Sequence, residues 1–486
     1  MDCFLLYPND RQPDAALLVQ WKGKSGSVVP SSCPDIILQW DDAGLSCLET
    51  YAVVLNGREA LHNASQPETK RAMLTAADIP YIHNVSAAKE KDISATIRRY
   101  IAIVFQQEIV SLYRSSGRSL WLNHRIREGE DKYREIEVNQ KIREIRRVTQ
   151  YAVQSVYALG LDFAAVYFGV DLRGRIYVLD VAPTFRMTHT LARKFIACVE
   201  RFCQGYACDA VDITLGADVE FVLRNAEGKA VMASSYLPKE GVVGCDRILL
   251  RSDLTHKHLP LAEIRPEPGA DARELFRNIY HAMMIGIRKI GSEQIEWVAG
   301  GMPLSGYPIG GHVHFGGLPP NSQLLRALDT YLALPVFMIE SSRSLLRRPK
   351  YGCLGDMRFQ FHGGFEYRTL PSWLTSPKVA RGVLALSHVI ALSYRKLRQL
   401  PLLDPEMYRA FYNGDREALA PLLPFLWNDL RLLESYARYE SYLEPFAQLV
   451  LSRVEWEEFA DIRPVWKLPP FHPELTASRA YEHSVL

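Results

Sequence analysis

Four short stretches in the second half of the chain carry paired ionisable residues two positions apart. They are Asp218-Val219-Glu220, Glu263-Ile264-Arg265, His312-Val313-His314 and Glu366-Tyr367-Arg368. Each pair brackets an apolar residue within an apolar, strand-like run. Strand side chains alternate between faces, so residues i and i+2 point the same way. Each triplet therefore aims two ionisable groups at one face and an apolar side chain at the other. A single triplet of this kind reads as the wet face of a half-exposed sheet. The set reads differently, because solvent-facing strands draw on Lys, Thr, Ser and Glu, whereas these hold acids, imidazoles and guanidiniums with no lysine. The glycines of GGHVHFGG suit close approach of backbone or ligand. If the four strands share a sheet, one face has the composition of a site for metal ions and phosphate. Mg²⁺ takes carboxylate oxygens and keeps positions open for phosphate oxygens, and arginines grip phosphate bidentately. Carboxylates with a histidine could hold two Mg²⁺ on a nucleotide while arginines neutralise a transferring phosphoryl group. A catalytic zinc site built on H-x-H and an acid is the competing metal reading. The abundance of acids and arginines favours phosphoryl chemistry.

The elements that must position these residues belong to a long chain. At 486 residues, it exceeds the roughly 100–200 residues of one domain, so two or three domains are expected. Hydrophobic residues at 48% and charged residues at 23% are ordinary globular values, which excludes a disordered tail, a collagen-like fibre and a coiled coil. The balance of 57 Lys+Arg against 55 Asp+Glu gives no electrostatic footprint for nucleic acid or membrane. Eight scattered cysteines without a C-x-x-C pair read as reduced thiols, and the charged N-terminus is unlike a signal peptide. A cytoplasmic protein is the expectation. In the first half, YAVVLN (51–56) reads as a strand and 59–77 as one helix. RYIAIVF and EIVSLYR form a hairpin across Gln106–Gln107. The charged segment 125–148 reads as a solvated helix laced with local ion pairs. FAAVYFGVD and RIYVLDVAP form a hairpin over Leu172-Arg173-Gly174, with Asp171 as a turn residue. A helix follows at about 189–204, and a boundary falls near 205–213. The division expected is 1–210, 211–400 and a helical extension, 401–486, packed on the middle domain.

Within 213–390 the motifs resemble a family. G-A-D-V-E-F looks like the G-x-E-x-E-F opening strand of carboxylate–amine ligases with the glutamine synthetase and glutamate–cysteine ligase fold. A-E-I-R-P-E-P, G-G-H-V-H-F-G and F-E-Y-R-T-L resemble their E-x-R-P, H-x-H and E-x-R segments, in family order. The likeness is closest to the amidoligases of bacteria and phages, whose R-x-x-Y-G-x-x-G-x-x-R stretch is matched by Arg348 to Arg358. The resemblance implies an α+β fold whose catalytic domain is an antiparallel, glutamine synthetase-like sheet. It implies Asp218, Glu220, Glu263, His312 and Glu366 as Mg²⁺ ligands, Asp218 being shorter than the family's glutamate. It places His314 near the nucleotide phosphates, and Arg265, Arg358 and Arg368 on phosphate or the activated carboxylate. Arg348 and Tyr351 join the nucleotide-binding set. The implied reaction is ATP- and Mg²⁺-dependent: a carboxylate attacks the γ-phosphate, and an amine then displaces phosphate from the acyl phosphate. The partners implied are small-molecule or peptide carboxylates and amines, and a homo-oligomer is compatible with the family's habits.

The first half resembles a worn ATP-grasp domain, of the α/β type. VLNGREALHNASQPETKRAMLTAADIP (54–80) is similar to that family's N-terminal segment, and 158–185 to its metal-binding hairpin. The positions where that hairpin offers Asp and Glu-x-Asn hold Tyr167, Asp180 and Ala182. The glycine-rich phosphate loop has little room in 86–100. The resemblance implies a scaffold or substrate-presenting role for this half. Two other readings of the whole chain remain open at this point, a nucleotide-binding scaffold without catalysis and a metal-dependent hydrolase using His312 and His314.

Overall fold

A computed structural model describes residues 2–32, 34–45, 52–82, 96–115, 133–207, 212–248, 259–361 and 363–469. Residues 86–95 and 125–132, on which part of the sequence reading rests, lie outside them. The chain divides into two compact units, Met1–Asp209 with Pro401–Arg409, and Ala210–Leu400 with Ala410–Leu486.

The first unit holds two sheets. Strands β1 (Cys3–Leu6), β2 (Lys24–Gly26), β3 (Ile36–Gln39) and β4 (Val53–Leu55) form a parallel sheet in the order β2-β1-β3-β4, with α1 (Ala15–Gln20) between β1 and β2. The single helix expected over 59–77 is two, α2 (Arg58–Ser65) and α3 (Pro67–Ala76). Pro67 offers no N–H to continue α2 and is preset for a first helical turn, so the chain restarts there. Strands β5 (Thr96–Phe105), β6 (Glu108–Ser115) and β7 (Tyr133–Ile136) precede α4 (Arg143–Ala158), β8 (Phe163–Asp171), β9 (Ile176–Ala182) and α5 (His189–Ala207). The five strands form an antiparallel sheet, β7-β6-β5-β8-β9. Both expected hairpins are present, the first turning at Gln106 with φ 53°. The helix expected over 125–148 is corrected where it is described: Tyr133–Ile136 pairs with β6, and helix begins only at Arg143. Local ion-pair spacing did not outweigh an open sheet edge.

The second unit is built on one mixed-length sheet. Its strands are β10 (Thr214–Arg224), β11 (Ala230–Val231), β12 (Val243–Asp246), β13 (Leu261–Ile264), β14 (Glu296–Val298), β15 (Gly311–Gly316), β16 (Met357–Phe359) and β17 (Phe365–Tyr367). The main path is β12-β13-β10-β15-β17-β16, antiparallel at every pairing. Helix α6 (Ala272–Ile290) packs on β10, β12 and β13. Its buried Leu275, Ile279, Ala282, Met283, Gly286 and Ile290 recur at helical spacing, the signature of a core-facing stripe. Asp271 caps its start by accepting from Arg273 N and Glu274 N, and Gly291 ends it at φ 58°. There the missing Cβ makes the left-handed turn cheap. Further along the chain, α7 (Ser322–Leu328) and α8 (Leu334–Ile339) lead to α9 (Pro377–Ser393), which packs on α6 and β15, and α10 (Glu440–Ser452) packs on α9. Among the described residues, no helix is long and apolar enough to cross a membrane.

Candidate active site

The apolar members of the four triplets, Val219, Ile264, Val313 and Tyr367, are fully buried in the core. Alternation then sends every ionisable member to the other face of the sheet. Register decides which of them meet. Asp218 pairs across from His312 and Gly216 from His314. Glu220 lies opposite Glu263, His314 opposite Glu366, and Glu366 opposite Arg358 on the edge strand. The strands therefore bring Asp218, Glu220, Glu263, His312, His314, Arg358 and Glu366 to one surface. Arg265 and Arg368, one residue beyond their strands, fold back onto it and pair with Glu263 and Glu366.

Contacts within the cluster are close. His312 Nδ1 lies 2.8 Å from Asp218 Oδ1 and 3.1 Å from Glu366 Oε1, bridging two carboxylates. His314 Nε2 is 3.4 Å from Asp218 Oδ2. Glu220 Oε2 accepts from Gly310 N at 2.6 Å, and Glu366 Oε2 accepts from Gln360 Nε2 at 2.9 Å. Arg368 Nε is 3.1 Å from Glu366 Oε1, and its far end reaches Asp356 at 3.6 Å. Glu366 is 1% exposed and Glu263 5%. Burial disfavours each charge, so the neighbours decide the state. Against burial, His312 and His314 hold the Asp218 carboxyl far below the usual carboxylate range. Burial opposes a charge on His312, yet Asp218, Glu366 and Glu220 push it up to about 10. Burial, with Asp218, Glu220 and Asp246 adding to it against Arg265, pushes Glu263 up to about 8.

The donor set fits a divalent cation. Asp218, His314 and Glu366 each offer one ligand atom, and these atoms lie within 4.8 Å of one another, so the imidazole of this group is His314, expected near the phosphates, rather than His312, expected as a ligand. Asp218 Oδ1, Glu366 Oε1 and His314 Nε2 are buried and make no hydrogen bond despite the short separations above. Atoms that crowd together without aiming at each other are arranged as ligands are, around a shared point. Oxygen donors with one imidazole suit Mg²⁺ or Mn²⁺.

Not every expected residue arrives. Arg348 is corrected: its guanidinium, 2% exposed, pairs with the fully buried Glu340 and lies over Phe337 and Phe411 at 5.6 and 4.8 Å. Its charge is spent inside the fold. Tyr351 is half-buried, with its hydroxyl raised by burial and by the field of Glu220. The sequence reading passed over Gln360, Asp246, Asp356 and Arg347. Asp356 stands two before Arg358, the same i, i+2 spacing as the triplets, so that signal was present. Arg347 donates to the Thr369 and Leu370 carbonyls, both at 3.1 Å, and fixes the chain just after Arg368; its sequence context gave no sign of this.

In the first unit, Asp171 accepts from Arg173 N and Arg175 N at 2.9 and 2.8 Å, the turn role expected of it. Asp162 accepts from Asn56 N at 2.8 Å and is structural. Asp180 pairs with Lys70 Nζ at 2.6 Å, and the same ammonium donates to the Val181 carbonyl.

A family model described as phage phiEco32-like COOH.NH2 ligase-type 2 matches residues 215–468, just over half of the chain. Among curated proteins, none matches this sequence. Solved structures that are similar include a bifunctional glutathione synthetase from Pasteurella multocida, at 12% identity and TM-score 0.34, covering 59% of this chain and 51% of that one. A D-alanine–D-alanine ligase from Bacillus anthracis complexed with ATP is 11% identical with TM-score 0.30, covering 43% and 100%. The ATP-grasp ligase PsnB complexed with minimal precursor is 12% identical with TM-score 0.28, covering 40% and 99%.

Proposed function

This chain belongs to the phage phiEco32-like COOH.NH2 ligase-type 2 family, and from that premise we propose that its second unit joins a carboxylate to an amine at the expense of ATP, through an acyl phosphate, on a glutamine synthetase-like sheet. The observation that carries the reading is the register of β10, β13, β15, β17 and β16, which gathers four acids, two imidazoles and three guanidiniums on one face. Asp218, His314 and Glu366 would hold Mg²⁺, with Glu220, Glu263 and His312 around them. A bound Mg²⁺ would supply charge neutralisation for the phosphates and a template for their orientation.

The chain's own residues do the remaining work by position. Arg368 is fastened by Glu366 and Asp356, so its guanidinium is a fixed donor for a phosphoryl oxygen. Arg358, with a side chain 59% exposed and 3.4 Å from Glu366, is the arginine free to turn toward an incoming phosphate. His312 bridges Asp218 and Glu366 and keeps both carboxylates on the face. Fixed donors of this kind stabilise the charge that develops during phosphoryl transfer. The first unit serves as a scaffold or substrate-presenting element. Tyr167 and Ala182 offer no carboxylate, and Asp180 is neutralised by Lys70.

The test is trapping. With Mg·ATP, hydroxylamine and a pool of small and peptidic acids, the chain should release ADP and form a hydroxamate. ATP binding with neither product would refute the ligase reading.

A further inference from the structure

The two ends of the acidic face are neutralised differently. At the β15–β17 end, Asp218, His314 and Glu366 converge with ligand atoms unhydrogen-bonded. At the β12–β13 end Glu263 Oε2 is likewise buried without a hydrogen bond, but the Arg265 guanidinium lies directly against it. Resting on the ligase reading, we propose that the protein holds one resident divalent cation, at Asp218, His314 and Glu366, and that the Arg265 guanidinium stands at Glu263 where a second would otherwise sit.

Three features build that guanidinium in. Arg265 pairs with Glu263, and its Nη1 donates to the Lys239 carbonyl at 2.9 Å, which anchors the group from its far side. It lies across Gly244, the residue in register with Glu263, where any Cβ would collide with Nη1. The sheet thus leaves a slot shaped for an arginine. Glu220, the other acid at this end, spends Oε2 on the Gly310 N–H. Among the described residues, neither Glu220 nor Glu263 belongs to a three-ligand group; the convergent trio is the one at the other end. A guanidinium carries a fixed single charge and five donors and cannot coordinate a metal. A second metal ion and the Arg265 guanidinium therefore compete for the Glu263 carboxylate.

Counting Mn²⁺ tests this. The full chain is soaked with Mn²⁺ in the absence of nucleotide, ions are located by anomalous scattering, and sites are counted by electron paramagnetic resonance. The wild type should show one ion, between Asp218, His314 and Glu366, lost in Glu366→Gln. Arg265→Gln should gain a second ion at Glu263, while Arg265→Lys, which keeps a charge there, should stay at one. A second ion at Glu220 and Glu263 in the wild type overturns the proposal, as does a folded Arg265→Gln that stays at one. The wild-type map decides even if Arg265→Gln fails to fold. No ion at all would overturn the metal assignment and this inference with it. One ion with no hydroxamate would refute the ligase reading and leave the count standing.

Discussion

Gly310→Ala separates the site from the fold in a single methyl group. A Cβ at this position would lie 2.7 Å from His312 Nε2 and 3.2 Å from its Cδ2. Ordinary contact is about 3.5 Å, so the ring must retreat by about 0.8 Å. Gly310 is not among the glycines with left-handed φ, so alanine strains no backbone and the whole effect falls on the imidazole. Swinging the ring away is cheap for stability, because Nε2 is the far end of the side chain. Overpacking costs about 1–3 kcal/mol when nothing yields, and the alanine returns about 0.4–1 kcal/mol by restricting the unfolded chain. The net change should stay within about 1 kcal/mol, or about 2–4 °C in Tm. The site pays far more. Nδ1 bridges Asp218 and Glu366, and a displacement near 1 Å costs an aligned catalytic array about 10²-fold. Hydroxamate formation with Mg·ATP measures the rate, and differential scanning calorimetry measures Tm. An unchanged rate would refute the role given to His312, and a collapse of Tm would show that Gly310 serves the fold instead.

Glu220→Gln and Glu366→Gln should each abolish hydroxamate formation while leaving circular dichroism unchanged, since both keep the side-chain volume and remove the charge; full activity in both would sink the assignment of this face. Arg348→Met should behave oppositely, losing about 3–5 kcal/mol in denaturant unfolding because it strands the buried Glu340, with the rate per folded molecule unaltered. His388, 3% exposed and 2.6 Å from the Tyr439 hydroxyl, is lowered to about 4 by burial and by Arg438, against Asp271. Its folded pKa lies below the ordinary 6.5, so its contribution is complete above pH 6.5 and is lost as pH falls toward 4, by about 3 kcal/mol at most. Urea unfolding across pH 4 to 7 should show this slope, and His388→Gln should flatten it; an equal slope in both would refute it.

The triplets were legible because strand alternation is local: Asp218 and Glu220 share a face whatever the rest of the chain does. Which triplets touch was not legible. That depends on β10 lying between β13 and β15, a pairing of segments far apart in sequence, and on apolar stacks such as Phe315 on Phe365 between β15 and β17 and Phe221 on Trp297 between β10 and β14. Arg348 shows the limit of motif matching. Its spacing fits the R-x-x-Y-G stretch, but the neighbouring apolar surface of Phe337 and Phe411 claims the guanidinium. The break at Pro67 was readable from proline's missing N–H, and the helical periodicity around Met73 and Leu74 hid it. Tyr133–Ile136 reads as helix by charge pattern and becomes strand because β6 leaves an edge to fill.

Site and core occupy the same six residues of β15: His312 and His314 face the acids, while Val313 and Phe315 are fully buried. A slip of one residue would put the imidazoles in the core and the valine among the carboxylates. Burying Val313 and Phe315 gains about 1.5–3 kcal/mol each, and burying an unpaired imidazolium costs more than that. The register that sets His312 against Asp218 is thus enforced from the opposite face, by residues that never touch the chemistry. The clustered acids repel one another and burial costs every charge its water, so the acids would not choose this arrangement alone. Their positions are held by the core, through Val313 and Phe315 on the opposite face.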